Sequence, residues 1–557
     1  MRAGIMASAI LGSSLAAPHL WAQQLFDGGA DAFRRQEERE EVRRDRIEPR
    51  RDVVLPRARD ERESDQLPAE TPCFVAQSIR LSGAEAFPWA QETVAPFRQQ
   101  CVGREGINII LRRLTAEFID RGYVTTRVAV PEQDLADGTL HLQVIPGVIR
   151  EIRFAEPAED ATWRTAFPSR PGDLLNLRDL EQGLEQMKRV PTQDVDFQLV
   201  PGAEPGETDI VISRTQARRL RGIVSVDDSG NRATGRYIGS ATVAVDNPLG
   251  LNDLFNLSGT TALDRDGGRR GNDGVSAAYS IPFGYWTVAL NASDFDFKQT
   301  IAGRNQTFES TGRTQSVEAR VARLVHRDQA SRTSLQFRVS KRDSDSYIDD
   351  VEILAQRRRL TFAEAGVQHR RFIGAANLDA AIAYRQGVPW LNAEPRLPDA
   401  GPGTPDSRYG LWTLDVLFTA PLQLGELRAR YQGTLRAQYT DDALFSLDFF
   451  SIGTRYTVRG FDGERTLAAD RGWLIRNDLG LPLPIDGQEI YVGLDHGQVS
   501  GSASTFLPGK RLTGAVIGLR GGAWGFLYDV FAGFSLSEPD GFESDSPTFG
   551  FQLLYSF

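Results

Sequence analysis

The stretch FGFQLLYSF, residues 549–557, decides the fold. Phe549, Phe551, Leu553, Tyr555 and Phe557 fall on one face, and Gly550, Gln552, Leu554 and Ser556 on the other. Strict alternation is the period of a strand with two different surroundings. An aromatic face opposite a small and polar one fits a barrel wall between hydrocarbon and an aqueous lumen. A second stretch sharpens this. Ala429, Tyr431, Gly433, Leu435, Ala437 and Tyr439 oppose Arg428, Arg430, Gln432, Thr434, Arg436 and Gln438. Three arginines on one strand face cannot sit in a dry core. From Gln216 onward no amphipathic helix interrupts the alternation, and the remaining length suits on the order of 16 strands. A barrel of that size encloses a channel, not a packed interior.

Composition agrees. The 557 residues exceed one ordinary domain. Gly is abundant (53) and Met scarce (3), which favours sheet and turns over packed helices. The mean hydropathy of -0.33 hides a membrane protein only if half of each strand is polar. Beyond the N-terminal segment no apolar run is long enough for a transmembrane helix. A net charge of -10 argues against nucleic acid as partner and is compatible with lipopolysaccharide bridged by divalent ions.

The N-terminus reads as a secretory signal over residues 1–22, with Arg2, an apolar stretch Ala3–Ala17 and a cut after Ala22. Cys73 and Cys101 remain after that cut. An even count in an exported chain points to one disulfide, which would stabilise by roughly 3 kcal/mol.

Residues 23–46 contain a polar helix, DAFRRQEEREEVRRDR at 31–46, without an apolar stripe. Such a helix is solvated, bridges domains or is disordered. Its length of roughly 24 Å matches the height of a barrel wall. Residues 47–72 carry Pro49, Pro56, Pro68 and Pro72 amid dense charge and read as an extended linker. Two small α/β units follow, at 73–147 and 148–215, each with a strand, a helix and two further strands. Ile107, Ile110, Leu111, Leu114 and Phe118 mark the first helix and Gly122 its end. Asn176 caps the second, which carries Leu177, Leu180, Leu184 and Met187. The barrel takes 216–557.

Several longer stretches resemble the TpsB-type transporters of two-partner secretion, the hemolysin secretion/activation family. Cys73-Phe74, Cys101 and RGYVTTRVAVPEQDLADGTLHLQVIPG (121–147) resemble that family's first POTRA domain, and 148–215 its second. VDNPLGLNDLF (245–255), YSIPFGYW (279–286) and IGTRYTVRGFDGERTLAADRGWLIRNDL (452–479) resemble its barrel motifs. The last contains Val458-Arg459-Gly460-Phe461, and Leu494-Asp495-His496-Gly497 is similar to a later wall motif, with Leu494 where an aromatic is common. The terminal Phe549, Phe551, Leu553, Tyr555 and Phe557 resemble the signal by which barrel-assembly machinery recognises its substrates.

The resemblance implies a transmembrane antiparallel β-barrel behind two POTRA domains and an N-terminal plug helix. It implies an outer-membrane location with the POTRA domains in the periplasm. It also implies export of a large TpsA-type exoprotein, captured through its N-terminal secretion domain. Val458, Arg459, Gly460 and Phe461 would form the tip of a loop folded into the lumen, with Arg459 paired to Asp495. Adhesins, hemolysins, contact-dependent toxins and heme-acquisition proteins all use such transporters. A barrel-assembly insertase of the same superfamily, a porin and an outer-membrane enzyme are the rivals. The first usually carries more POTRA domains, and the second needs none. The third lacks support: His141, His326, His369 and His496 show no ligand spacing, no nucleophile motif stands out, and no catalytic residue, metal or cofactor is expected.

Overall fold

The structure is a computed structural model and describes residues 17–48, 52–53, 66–396, 398, 401 and 403–557. The expected signal segment lies outside the described residues up to 16, and the expected linker at 49–51 and 54–65.

Among the described residues sixteen antiparallel strands close into a barrel, from Leu220–Asp227, the first, to Thr548–Ser556, the last. Every strand pairs with its sequence neighbour, and the ends close the cylinder. Tyr555 faces Val224 across that seam, and Gly222 and Phe557 exchange two backbone hydrogen bonds at 2.8 and 3.0 Å. Closure leaves no edge exposed to lipid, where an unpaired backbone group has no water to satisfy it.

The rim facing the α/β units has short turns, such as Gly284-Tyr285, Gly374-Ala375 and Trp524-Gly525. The opposite, upper rim carries longer loops, the longest joining Leu427–Tyr439 to Arg471–Pro482. Apolar side chains such as Val243, Phe255, Leu290 and Val317 stand exposed on the outer wall. Phe283, Trp286 and Phe526 ring it low, and Trp412, Tyr439 and Trp473 high. An apolar band between aromatic girdles is the surface of a barrel in a bilayer. The C-terminal face follows the expected alternation: Phe549 and Phe557 are exposed outside, while Gln552 and Leu554 point into the lumen beside Arg46 and Tyr456.

The two α/β units share one topology. In the first, the central strand Thr139–Ile145 pairs in parallel with Ser78–Ser82 and antiparallel with Arg127–Ala129. In the second, Glu207–Gln216 pairs in parallel with Val148–Phe154 and antiparallel with Gln193–Pro201. Each sheet buries one face under its helix, Arg104–Asp120 or Leu177–Lys188. Ile110, Leu114 and Phe118 pack on Leu140 and Leu142 in the first unit, and Leu180, Leu184 and Met187 on Ile210 and Ile212 in the second. Asn176 accepts a hydrogen bond from the Arg178 amide at 2.9 Å and caps the second helix. Cys73 and Cys101 are joined in a disulfide with Cα atoms 5.5 Å apart. A seven-residue helix, Pro88–Val94, has no counterpart in the sequence expectations. Of the two strands expected after the first helix, the earlier is short, Arg127–Ala129, because the turn at Gly122 precedes it.

Candidate functional site

Two segments of the chain fill the lumen. One is the helix Ala17–Ile47, whose C-terminal part runs from the upper loops down to the lower rim. At its upper end Asp31 accepts hydrogen bonds from Thr466 Oγ1 (3.2 Å) and Asn231 Nδ2 (3.3 Å). At its lower end the Ile47 carbonyl accepts from Arg221 Nη2 at 3.2 Å, and Arg46 Nη2 donates to Gln552 at 2.7 Å. Gly29 to Ile47 spans about 28 Å at helical rise, the depth of the wall. Its polarity now has a cause: its surroundings are polar. Arg39 donates to Ser229 Oγ and Asn272 Oδ1, both at 3.3 Å, and Arg43 to Ser276 Oγ at 2.7 Å. Ala32 and Phe33 make an apolar contact with Phe295, Phe297 and Leu447.

The second segment is the loop 440–470 from the upper rim. It carries its own short hairpin, Phe450–Ile452 with Leu467–Ala469. Ile452, Val458, Phe461, Leu467 and Ala469 form a buried cluster with Leu474, Val499 and Leu512 of the wall and Phe542 of the neighbouring loop. Phe461 meets Phe542 edge to face at 5.7 Å.

At the loop tip the Arg459 guanidinium lies 4% exposed among carboxylates. Nε donates to Asp495 Oδ2 at 2.7 Å and Nη2 to Asp495 Oδ1 at 2.9 Å, a two-pronged pair. The Arg459 amide adds a third bond to Asp495 Oδ2 at 3.0 Å. Nη1 and Nη2 also donate to Asp478, a partner that the sequence reading did not assign. Arg520 reaches Asp478 from the far side at 3.3 Å and stacks 4.5 Å over the Tyr491 ring, whose hydroxyl donates to Asp529 at 2.8 Å. Arg476 stands 3.8 Å from Asp495. The planar five-donor fork of arginine suits two carboxylates at once, which a lysine cannot match.

Glycines make the approach possible. Gly460 has φ +102°, and a Cβ there would lie 2.5 Å from the Phe534 carbonyl oxygen. Gly514 on the wall would put a Cβ 1.9 Å from the Arg459 carbonyl oxygen. Asp495 and Gly514 are direct partners in the strand register, so carboxylate and gap arrive together.

The lower rim carries the second α/β unit. Its helix Leu177–Lys188 lies on the turns, with Gln182 and Gln186 donating to the Gly284 carbonyl at 3.1 and 3.2 Å. Arg327 bridges to Gln182 and Glu185, both at 3.1 Å, and Arg332 pairs with Glu185 at 2.6 Å. Asp160 joins Arg214 (3.0 Å) and Arg219, and its carbonyl accepts from Asn247 Nδ2 at 3.3 Å. Burial raises the Asp160 carboxyl, but the two arginines more than offset this and hold it below its usual value. The remaining expected residues serve elsewhere. His496 is a wall residue, its Nδ1 2.8 Å from Thr513 Oγ1.

A membrane barrel holding a folded-in arginine loop, with two α/β domains below it, defines an outer-membrane transporter of the POTRA–barrel class. The haemolysin secretion/activation protein model ShlB/FhaC/HecB matches residues 206–521, an ShlB-type POTRA model 74–147 and a further POTRA model 148–201. The chain is 41% identical over 512 residues to the outer membrane transporter CdiB-2 of Burkholderia pseudomallei (strain 1026b), covering 88% of each. The solved structure of CdiB from Escherichia coli superposes with a TM-score of 0.83 at 27% identity, over 95% of this chain and 99% of that one. CdiB from Acinetobacter baumannii gives 0.83 at 28% identity, over 99% and 100%. The chain belongs to the haemolysin secretion/activation protein family ShlB/FhaC/HecB. It is an outer-membrane transporter of two-partner secretion that exports a partner exoprotein, with its POTRA domains in the periplasm.

Proposed function

We propose that export is controlled at two places in the lumen, the Val458–Phe461 tip and the helix over residues 23–46. Arg459 acts as a latch: paired with Asp495 and Asp478 it keeps the loop seated, and released it lets the loop move. Such a pair contributes registry and conformational control more than raw stability. The helix is the plug of the resting pore. The observation that carries the reading is that the helix and the Arg459 tip are held by polar contacts, which water can replace when they separate. The POTRA pair takes the client from the periplasm, through its N-terminal secretion domain, by strand addition to a sheet edge. Backbone hydrogen bonds give affinity there with little demand on sequence. The barrel reaches its membrane through assembly machinery that reads the strand ending at Phe557. Folding of the client outside biases its motion outward.

Deleting residues 23–46 and recording conductance in planar bilayers tests the plug. A resting conductance several-fold above that of the intact protein is expected. An unchanged resting conductance would remove the helix from the mechanism.

A further inference from the structure

The lumenal helix carries two rows of opposite charge. Arg35, Arg39, Arg43 and Arg46 recur at helical spacing on one side, and Glu37, Glu41, Asp45 and Glu48 on another. The two rows meet different surroundings. Arg35 pairs with Asp31 of the same helix at 2.7 Å, and on the wall and loop Arg35 and Arg39 are buried against Ser229, Gly230, Gly463 and Asn272, which are neutral acceptors. Glu37, Glu41 and Asp45 are exposed to a water-accessible cavity of about 790 Å³ between the helix and the opposite wall.

That wall is basic. Arg320, Arg338, Arg385 and Arg436 line the cavity from four strands. Glu318, Glu364, Asp415 and Asp448 offset much of the charge on Arg338, Arg385 and Arg436, and leave Arg320 as the guanidinium of the four without a paired carboxylate among the described residues. The Arg320 side chain makes no hydrogen bond or ion pair among the described residues, and it lines the cavity. The acidic row reaches across where Arg436 Nη2 donates to Glu41 at 3.0 Å. Arg44 interrupts the row but does not reverse its sign. From Glu37 to Glu48 the row is about 16 Å long, the reach of roughly five residues of extended chain.

We propose that this arginine wall is a docking surface for an acidic, extended segment of the exported polypeptide, and that the helix's acidic row holds its place at rest. The proposal rests on the transport reading. Its physical content is competition: carboxylates on an entering chain replace those of the helix at the same guanidinium groups. Their forks bind carboxylates with a geometry the client can satisfy from any extended backbone. The helix then loses the attraction that keeps it against the wall, and plug release is coupled to client entry.

The test uses the full-length protein in planar bilayers, with short polyglutamate or polylysine peptides of equal length added on the POTRA side. Polyglutamate should raise the time spent in the large-conductance state about tenfold. Polylysine should not, and R320Q/R436Q should abolish the response. E37Q/E41Q/D45N, which weakens the resident competitor, should open the pore without peptide. No response to polyglutamate, an equal response to polylysine, or a response that survives R320Q/R436Q overturns the proposal. Secretion of the natural client separates the two readings. If R320Q/R436Q loses the peptide response yet secretes at the wild-type rate, the wall binds acid but the client does not use it, and the partner assignment fails. If the intact protein secretes nothing while the peptide response stands, it is the transport reading that fails.

Discussion

Arg459→Ala removes the guanidinium that hydrogen-bonds Asp495 and Asp478 together. Both carboxylates are buried, Asp495 at 1% exposure. Taking one partner from a buried pair costs about 3–5 kcal/mol, because the charge left behind has lost its water and its counter-ion. The low end applies here. Arg476 remains 3.8 Å from Asp495 and Arg520 3.3 Å from Asp478, and the residue 459 amide still donates to Asp495. About 3 kcal/mol against the seated loop corresponds to a population shift of more than 100-fold. The shift can be read by thiol labelling. The two native cysteines are joined to each other, so Val458→Cys places one free thiol at a wholly buried position beside the latch. Its labelling rate should rise about 100-fold when Arg459→Ala is added, and less with Arg459→Lys, which keeps the charge but not the fork. Barrel assembly, followed by heat-modifiable migration in gels, should persist while secretion falls. A labelling rate within twofold of the Val458→Cys reference would refute the latch, as would wild-type secretion by Arg459→Ala.

Two further outcomes concern the lower rim. Arg327→Ala should weaken docking of the second POTRA domain by roughly 1–3 kcal/mol, since it strips hydrogen bonds from Gln182 and Glu185 while Arg332 still holds Glu185. Faster proteolysis of the connection at residues 217–219 would register it, and an unchanged cleavage rate would exclude this contact as the anchor. Asp160 gives a pH dependence: Arg214 of its own domain and Arg219 of the connection to the barrel hold its carboxyl below the usual value, so its grip on the connection is full above the free-carboxylate pKa near 3.9 and fades as pH falls through the lowered value. Spin-label distances between this domain and the barrel should therefore hold from pH 8 to 5 and broaden only below about pH 4. Asp160→Asn should lose that acid-dependent component.

What the sequence revealed depended on the range of the interaction. Alternation along Phe549–Phe557 and Arg428–Tyr439 is local, and it carried the barrel, its inside and its outside. The Asn176 cap and the Gly122 stop are equally local. The pairing of Arg459 with Asp495 came through resemblance, since nothing in the residues between them marks it. Asp478 lay inside the same quoted stretch, yet its role appears only when the strand register sets it beside Gly493, two residues from Asp495 on the same face. Arg520 lies farther along and offers no local signal. The helix before the POTRA domains was ambiguous because a polar helix has no preference until its surroundings are known, and Ser229, Asn272 and Ser276 are distant in sequence. The helix Pro88–Val94 is too short for periodicity to announce it.

The underside of the folded-in loop has one more implication. Val458, Phe461 and Leu467 cover Leu474, Val499 and Leu512 on the wall. Withdrawal of the loop, as proposed, would wet all six until an apolar stretch of passing chain or the returning loop dries them again. A loop that moves in this way would make the conduit self-sealing: the same grease that welcomes a threaded polypeptide would draw the loop back once the last residue has left, so the permeability barrier of the cell envelope would be breached only while it is filled.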